Sequence, residues 1–345
     1  MRIEELPRFR LGKLPTPLEK MTNLSKVTHI PHLYMKRDDF TDIGYGGNKI
    51  RKLEFLLADA KAKGADIIMS TGGVQSNFTR QAAAFAAKVG MRSICILLGE
   101  EPEEYRGNLL LEKLMGAELY FAHAENLDEG ARVAAELMDS LTQKFEEEGL
   151  TCYPMPIGGS TPIGNVGFTV GFLEFYSQMK DLGIDADHVV LASGSGGTLA
   201  GLLVGKMMIG CEATIMGIRI GYMFDPFREN VAQMANELCS FLELDFKVSA
   251  QDIITFDDYI GEGYDIPTKE ANDAIKLVAR TEALFLDPVY TGKGMAGLLG
   301  LVERGEIGRD DTIAFWHTGG HPALFVGEEL LGKEFMESLK DPTEQ

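Results

Sequence analysis

Gly46-Gly47-Asn48-Lys49-Ile50-Arg51-Lys52-Leu53-Glu54 places a lysine just after two glycines, at the point where a helical pattern begins. Apolar residues then recur at helical spacing, at positions 50, 53, 56, 57 and 60. Lys49 therefore lies near a helix N-terminus, where the backbone dipole and the charge of Lys52 both disfavour a protonated amine. Such an amine can become the neutral nucleophile that forms a Schiff base with a carbonyl cofactor. The same pattern also fits two solvated lysines at the start of an amphipathic helix.

The composition predicts a soluble globular enzyme with two domains. The chain has 345 residues, of which 45% are hydrophobic and 25% are charged, and this length can bury a substantial core. The formal net charge of −19 argues against a nucleic acid or an anionic membrane as partner. There is no apolar run of about 18 residues, and residues 1–5 lack the apolar core of a signal peptide. We expect no membrane span and no nucleic-acid partner.

Cysteine and histidine usage predicts a cytoplasmic protein without a metal site. The four cysteines form no CxxC pair and lie in or beside apolar stretches, which is typical of reduced thiols. The six histidines show no HExxH pattern. His317 and His321 are four residues apart, but the two glycines and the proline around them prevent a shared helical face.

Short apolar, β-rich runs alternate with helical patterns along most of the chain. The predicted strands are 66–71, 93–98, 118–121, 152–155, 188–192, 214–219 and 310–316. The predicted helices are 76–89, 107–115, 128–147, 163–181, 197–208 and 226–241, with another apolar helix near residue 295. Such alternation favours an α/β fold in which helices cover parallel sheets. The simplest division is a middle lobe of about 50–155 and a second lobe that combines the two ends of the chain.

A glycine-rich loop, Ser193-Gly194-Ser195-Gly196-Gly197-Thr198, follows a predicted strand and opens a helix. Its glycines allow backbone N–H groups to converge on a phosphate, and its hydroxyls can add hydrogen bonds. It lacks the GK[ST] of a Walker A loop, so a nucleoside triphosphate is not expected. A tight strand-to-helix turn that needs glycine for close packing would explain the loop as well.

The middle lobe contains a similar loop, Ser70–Thr79. Free N–H groups at the helix start, around Gln75, Ser76 and Asn77, can hold a carboxylate. Asn77 can also donate to a phenolate oxygen, whereas an N-cap role alone would explain Ser76.

Three further residues with hydroxyl groups lie in glycine-bracketed segments. Tyr264 and Tyr290 can orient a substrate or move a proton, although a single tyrosine is more often a packed core residue. Thr318, after the last predicted strand, can meet a ring nitrogen.

Taken together, these segments resemble the fold-type II pyridoxal-phosphate enzymes of the D-cysteine desulfhydrase and 1-aminocyclopropane-1-carboxylate deaminase family. The matching motifs, in the family's order, are Pro15-Thr16-Pro17, Lys36-Arg37-Asp38-Asp39, GGNKIRKLE, GGVQSN, GSGGT, DPVYTGKGM and HTGG. The resemblance implies a two-domain fold like that of the tryptophan synthase β subunit. Its larger, cofactor-binding domain would be 1–48 with 156–345, and its smaller, mobile domain would be 49–155. It also implies a homodimer and a small amino-acid substrate.

The resemblance assigns a role to each candidate residue. Lys49 would carry pyridoxal 5′-phosphate, and Lys49, Ser76, Tyr264 and Tyr290 would be catalytic. The other cofactor-binding residues would be Lys52, Asn77, Gly194, Ser195, Gly196, Gly197, Thr198 and Thr318. The substrate-binding residues would be Gln75, Ser76, Asn77 and Ser160, and Arg219 is a further substrate-binding candidate that departs from the family pattern. No metal is implied.

One position favours elimination over ring opening. The ring-opening deaminases carry a glutamate near the cofactor ring nitrogen, and the matching position here is Thr291. A hydroxyl leaves that nitrogen largely unprotonated, and a weaker electron sink suffices when a Cβ substituent leaves. We therefore expect a pyridoxal-phosphate-dependent carbon–sulfur lyase, like D-cysteine desulfhydrase, that gives pyruvate, ammonia and sulfide.

The chain also departs from the desulfhydrase pattern in three loops. These are the segment Gly217–Asp225, Thr161 where the family often has Asn, and Asp265 where it often has Gly. Arg219 can meet a sulfonate, which leaves an L-cysteate sulfo-lyase open, although a solvated surface charge explains this arginine more simply. A 1-aminocyclopropane-1-carboxylate deaminase and a non-catalytic amino-acid sensor also stay open.

Overall fold

The computed structural model describes residues 3–123 and 127–340. The strands are β1 (Leu18–Lys20), β2 (Leu33–Arg37), β3 (Ile67–Gly73), β4 (Arg92–Leu98), β5 (Glu118–Ala122), β6 (Cys152–Met155), β7 (His188–Ser193), β8 (Thr214–Arg219), β9 (Ile254–Phe256) and β10 (Ile313–His317). The helices are α1 (Thr22–Thr28), α2 (Lys49–Ala62), α3 (Asn77–Val89), α4 (Gly107–Leu114), α5 (Leu127–Glu147), α6 (Pro162–Leu182), α7 (Gly197–Ile209), α8 (Phe227–Phe241), α9 (Lys269–Glu282), α10 (Thr291–Glu303), α11 (Glu328–Leu331) and α12 (Lys333–Ser338).

These elements form two sheets. The larger has the order β1-β2-β10-β7-β8-β9, and the smaller has the order β5-β4-β3-β6. Every pairing is parallel except that of β1 with β2. The predicted α/β fold with helix-covered parallel sheets is therefore confirmed, and the predicted elements are present with ends that shift by a few residues. The sequence patterns missed β1, β2 and β9. Both β1 and β9 are three-residue strands at the edges of the larger sheet, and β2 lies next to β1.

The smaller sheet uses strands from residues 67–155, and the larger sheet uses the rest. The division into a 1–48 with 156–345 domain and a 49–155 domain, and the mobility of the latter, stay predictions. Among the described helices, none is both long and apolar enough to cross a membrane. All four cysteines are free thiols, and Cys95 and Cys239 are buried.

Buried ion pairs anchor α2, the helix that begins at Lys49. The Arg51 guanidinium donates to both carboxylate oxygens of Asp38 at 2.8 Å and to Glu174 on α6. Trp316 on β10 donates its indole N–H to the same Asp38 carboxylate at 2.8 Å. Gly167 on α6 lets the two helices touch, since a Cβ there would lie 2.1 Å from the Arg51 carbonyl oxygen. The start of α2 is thereby held against the larger sheet.

Candidate active site

A cavity lies where the carboxyl ends of β3, β7 and β10 face the N-termini of α2, α3 and α7. Ligands of open α/β sheets bind at this kind of edge. Its lining includes the sequence-predicted residues Lys49, Ser76, Asn77, Gly194, Ser195, Gly196, Thr198, Tyr264, Tyr290 and Thr318. The structure thus brings together residues that are far apart in the sequence.

Lys49 is the first residue of α2, as the spacing predicted. The turn before it needs glycine: Gly46 and Gly47 have φ values of 68° and 118°, and a Cβ on Gly46 would lie 2.0 Å from the Asp39 carbonyl oxygen. Asn48 ties the turn to the end of β10 by donating its backbone N–H to the Thr318 carbonyl at 3.0 Å. Lys49 Nζ donates to Asn48 Oδ1 at 3.2 Å.

Burial lowers the pKa of Lys49 to about 8, against an opposing effect of the Asp38 carboxylate. The low pKa was expected from the charge of Lys52 and the helix dipole, whereas in the structure it results from the burial of the Lys49 amine. The pKa of Lys52 is itself lowered strongly, by burial and then by the charge of Lys49. A substantial fraction of Lys49 is therefore neutral near physiological pH.

The glycine-rich loop after β7 leaves the N-terminus of α7 without a side-chain cap. Gly196 is the N-cap residue, with a φ of 82° that favours glycine. The first N–H groups of α7 are then available to an anion. Gly197 lies behind the cavity wall, where a Cβ would be 2.4 Å from Lys52 Nζ and 2.6 Å from Asn165 Oδ1.

Lys52 is a buried amine without a carboxylate partner among the described residues. Its side chain is fully buried, and Nζ donates to the Gly158 carbonyl at 3.1 Å and to Ser160 Oγ at 3.0 Å. Ser160 Oγ lies 2.9 Å from Ser195 Oγ, which reaches the cavity. Ser160 therefore lies with Lys52 beside the glycine-rich loop.

The residues around α7 fit a phosphate group. Asn165 is 1% exposed, and neither polar atom of its side chain has a hydrogen-bond partner among the described residues. Ser193 Oγ, at the end of β7, is likewise unpartnered. A phosphate bound at the N-terminus of α7 would supply a counter-charge near Lys52 and an acceptor for Ser193 Oγ, since Ser193 lines the cavity. The donor set thus suits the cofactor that the sequence predicted.

The N-terminus of α3 also faces the cavity. Ser76 is its N-cap, and Ser76 Oγ accepts from the backbone N–H groups of Phe78 and Thr79 at 3.2 and 3.3 Å. Its hydroxyl hydrogen remains available to a ligand. Gln75, in contrast, points away: its side chain accepts from the backbone N–H of Asn108 at 2.9 Å and donates to the Arg106 carbonyl at 3.1 Å. The structure does not bring the Gln75 side chain to the cavity.

Tyr264 and Tyr290 form a hydroxyl pair at one side of the cavity. Their Oη atoms are 2.5 Å apart, and the rings meet edge to face with centroids 5.8 Å apart. Burial raises the pKa of both phenols, so both are protonated at neutral pH. Lys293 supports the Tyr264 loop by donating to the carbonyls of Ile260 and Gly263 at 2.8 and 2.7 Å.

Thr291 does not face the cavity, which corrects the expectation drawn from that position. Its Oγ1 donates to Asp287 Oδ1 at 2.7 Å and accepts from the Asp287 backbone N–H at 2.7 Å. The side chain is fully buried and closes the turn before α10. Thr198 and Thr318 are among the described residues that line the cavity, and Thr291 is not.

Arg219 does not reach the cavity either. Its guanidinium contacts Asp225 at 2.7 Å and Asp257 at 3.1 Å, and it packs 4.7 Å from the centroid of the Phe227 ring. With 5% of its surface exposed, it is not a solvated surface arginine. The loop that follows contributes Met223 and Phe224, which are apolar, to the cavity wall.

Asp39, His317 and His321 offer possible metal-ligand atoms within 4.8 Å of one another. The loop therefore brings the two histidines together, with ring centroids 5.3 Å apart, although they share no helical face. Both ring nitrogens of His317 are engaged, by the Phe285 carbonyl and the Gly319 N–H, and Asp39 binds Arg37. These contacts compete with metal ligation, and the absence of a metal stays a prediction.

Sequence reasoning missed Asn48, Asn165 and the apolar wall of the cavity. That wall includes Leu98, Ile157, Ile220, Met223 and Phe224. These residues come from separate loops and strand ends, so no local pattern marks them as neighbours. Only the proximity of Asn48 to Lys49 was visible in the sequence.

Comparison with known proteins agrees with this geometry. The model of the family described as pyridoxal-phosphate dependent enzyme matches residues 9–319. A D-cysteine desulfhydrase of Klebsiella pneumoniae subsp. pneumoniae is 39% identical over 330 residues, which cover 94% of this chain and 97% of that protein. A D-cysteine desulfhydrase of Yersinia pestis (strain Pestoides F) is 40% identical over the same shares.

Further similar proteins have different names. A Pyrococcus abyssi protein, provisionally named as a 1-aminocyclopropane-1-carboxylate deaminase, is 40% identical and covers 95% of this chain and 96% of its own length. The crystal structure of a homologue of 1-aminocyclopropane-1-carboxylate deaminase superposes with a TM-score of 0.85 at 35% identity, covering 95% of this chain and 96% of the other. Threonine deaminase isoform 2 of Solanum lycopersicum shares the fold, with a TM-score of 0.63 at 16% identity over 92% of this chain and 82% of the other.

Proposed function

The chain belongs to the family of pyridoxal-phosphate-dependent enzymes, and we propose that it is a carbon–sulfur lyase that eliminates sulfide from a cysteine-like amino acid. D-cysteine is the proposed substrate, because the relatives named D-cysteine desulfhydrase match nearly the whole chain. Elimination releases sulfide and leaves aminoacrylate, which water hydrolyses to pyruvate and ammonia. Pathway membership would then be amino-acid degradation within sulfur metabolism.

The observation that carries the proposal is the absence of a carboxylate from the cavity. No aspartate or glutamate is among the described residues that line it, and Thr318 supplies a hydroxyl. A carboxylate beside the cofactor ring nitrogen would hold a proton there and strengthen the electron sink. Elimination of a Cβ substituent does not need that strength, because the electrons of the Cα–H bond form the Cα–Cβ double bond while the sulfur leaves with the electrons of the Cβ–S bond.

The residues that would hold the cofactor follow from the fit described above. Lys49 would bind its carbonyl carbon, and the N-terminus of α7 with Ser195 and Thr198 would bind its phosphate. Lys52 would supply positive charge behind Ser160. Asn77 would donate to the phenolic oxygen, and Thr318 would meet the ring nitrogen. Pyridoxal phosphate, when bound, supplies the electron sink that acidifies the substrate Cα–H bond.

The remaining steps belong to the chain itself. Ser76 would hold the substrate carboxylate at the N-terminus of α3. Lys49 Nζ, partly neutral because of its lowered pKa, would accept the Cα proton. The Cβ–S bond then breaks, and the electrons of the Cα–H bond form the Cα–Cβ double bond. Tyr264 and Tyr290, protonated and in contact, would donate a proton to the departing sulfur.

A second candidate is the 1-aminocyclopropane-1-carboxylate deaminase reaction. Its support is the name of the Pyrococcus abyssi relative and of the structural neighbour. The cavity without a carboxylate favours elimination, and 2-oxobutanoate as product would distinguish ring opening.

An L-cysteate sulfo-lyase and a non-catalytic amino-acid sensor have less support. A sulfo-lyase needs a cation near the leaving group, and Arg219 binds Asp225 and Asp257 instead. A sensor does not need Lys49, Ser76 and both tyrosines in one cavity.

The test is a parallel assay of four substrates: D-cysteine, L-cysteine, L-cysteate and 1-aminocyclopropane-1-carboxylate. Pyruvate with sulfide from D-cysteine is expected. Borohydride reduction followed by peptide mapping should find the cofactor on Lys49. Attachment at Lys52 or Lys293, or turnover of the cyclopropane substrate alone, would overturn the proposal.

We also propose that the protein is a cytoplasmic homodimer. Phe40 and Tyr45 support this assembly: they are 50% and 64% exposed and line one surface recess, which a second copy would cover. Light scattering during size-exclusion chromatography is the direct measurement.

A further inference from the structure

Asn108, on α4, lies behind Asn77 and is fully buried. Its Nδ2 donates to Asn77 Oδ1 at 3.0 Å and to the Gln75 carbonyl at 2.8 Å. Its Oδ1 accepts from Arg80 Nε at 2.7 Å. Asn108 is thus the link between an arginine in the interior and an asparagine at the cavity wall.

The hydrogen-bonding capacity of these groups allows only one orientation for each amide. The Arg80 guanidinium can only donate, and the Gln75 carbonyl can only accept. Asn108 must therefore turn its oxygen to Arg80 and its nitrogen towards Gln75 and Asn77. Because that nitrogen only donates, Asn77 must present its oxygen to Asn108. The Asn77 nitrogen therefore points away from Asn108.

The side-chain nitrogen of Asn77 is available on the cavity side. Asn77 lines the cavity, and no described residue accepts a hydrogen bond from its Nδ2. The amide therefore offers a donor to a ligand and keeps its acceptor turned inward. With the opposite orientation, a carbonyl oxygen would face the cofactor's anionic phenolic oxygen.

Arg80 also forms hydrogen bonds with the loop before Lys49. It is fully buried and donates to the carbonyls of Gly44 and Gly46. One guanidinium thereby holds the glycine turn that leads to Lys49 and, through Asn108, the amide of Asn77. Nothing in the local sequence around either site residue indicates this connection.

We propose that Asn108 is a positioning residue that fixes Asn77 with its amide nitrogen towards the phenolic oxygen of the cofactor. This inference rests on the proposed function, since it needs the cofactor in this cavity. Asn108 itself contacts neither cofactor nor substrate.

The test is Asn108→Asp in the full-length protein. The new side chain has the same shape and still accepts from Arg80, but it presents an oxygen to Asn77. The Asn77 amide should then rotate, so that its nitrogen donates to the new carboxylate and its oxygen faces the cofactor. We expect cofactor affinity, measured by equilibrium dialysis, to fall at least about ten-fold. The pH at which the visible band of bound cofactor changes should rise, because the phenolic oxygen has lost its donor.

A matched control separates this effect from the general cost of a buried aspartate. Asn272, on α9, is also a buried asparagine, and its Nδ2 donates to the Leu331 carbonyl at 2.8 Å. Asn272→Asp should change neither the affinity nor the pH of the spectral change. If Asn108→Asp does not fold, Asn108→Ala should show a smaller loss in the same direction.

A double-mutant cycle with Asn77→Ala shows whether Asn108 acts through the Asn77 side chain or through the Gln75 backbone. If Asn108 acts through Asn77, Asn108→Asp should add no further loss in the Asn77→Ala background. An undiminished loss there would mean that the effect passes through the Gln75 backbone, and it would overturn the proposal. Unchanged affinity and spectrum in Asn108→Asp would also overturn it. Failure of the wild-type protein to bind the cofactor would instead refute the proposed function.

Discussion

Gly197→Ala provides the sharpest test of the proposed phosphate site. Gly197 is the first residue of α7 and has no positive φ, so alanine fits its backbone. In a helix, alanine is favoured over glycine by roughly 0.5–1 kcal/mol. The substitution therefore carries no backbone penalty, and its effect should come from the new Cβ.

The Cβ would enter a crowded space. It would lie 2.4 Å from Lys52 Nζ, 2.5 Å from Ser160 Oγ and 2.6 Å from Asn165 Oδ1. All three atoms are ends of side chains that can rotate away, so the fold should persist. The ammonium of Lys52 and the hydroxyl of Ser160, however, can no longer hold their places beside the glycine-rich loop.

We expect the melting temperature of the cofactor-free protein to stay within a few degrees of the wild type. Cofactor affinity, in contrast, should fall about ten- to hundred-fold, because one hydrogen bond to a charged group contributes about 1.5–3 kcal/mol. Titration of the cofactor-free protein, followed by tyrosine and tryptophan fluorescence, measures the dissociation constant directly.

Lys52→Met is the matching control for Gly197→Ala. It should weaken cofactor binding to a similar extent, and the two substitutions together should cost little more than either alone. Wild-type affinity in Gly197→Ala would refute the reasoning, since Lys52 would then have no part in phosphate binding.

Three further predictions concern single residues. Cofactor-free wild-type protein should gain stability from about pH 8 to about pH 10.5 relative to Lys49→Met, because the folded chain releases the Lys49 proton near pH 8 while the unfolded chain keeps it. Chemical denaturation across that pH range measures the free energy of unfolding of both proteins. The same pH dependence in both would contradict the prediction. Thr291→Val should lower the free energy of unfolding by about 1–3 kcal/mol, because Asp287 loses a donor and an acceptor, and it should leave the visible spectrum of bound cofactor unchanged; a spectral shift would place Thr291 at the cofactor after all. Arg219→Met should lower the melting temperature, since Asp225 and Asp257 lose their shared cation, while the ratio of L-cysteate to D-cysteine turnover stays constant; a selective loss of L-cysteate turnover would restore the sulfonate site.

The parts of the site that were predictable from sequence have local causes. Gly46 and Gly196 adopt positive φ, and each stands where a turn leads into a helix, so the residue type itself marks the turn. Ser76 was expected as an N-cap because its oxygen can reach the N–H groups two and three residues ahead. Lys49 was expected at the start of α2 because the apolar spacing begins beside it.

The parts that were not predictable depend on side-chain partners that neither residue type nor apolar spacing identifies. Thr291 is engaged by Asp287 and Arg219 by Asp257, and both engagements turn the side chains away from the cavity. Gln75 turns towards Asn108 on α4. In each case the loop was placed correctly, but its side-chain direction was not.

The sequence by itself determined the alternating strands and helices, the glycine turns and the presence of one lysine at a helix start. Those features arise from interactions within a few residues of chain, where backbone sterics and hydrophobic spacing dominate. The tertiary structure alone decided that Thr318 and not Thr291 faces the cavity, and that Asn77 turns its nitrogen into it. Such choices depend on which buried donors and acceptors meet, because an unpartnered polar group in the interior costs more free energy than a rotated side chain.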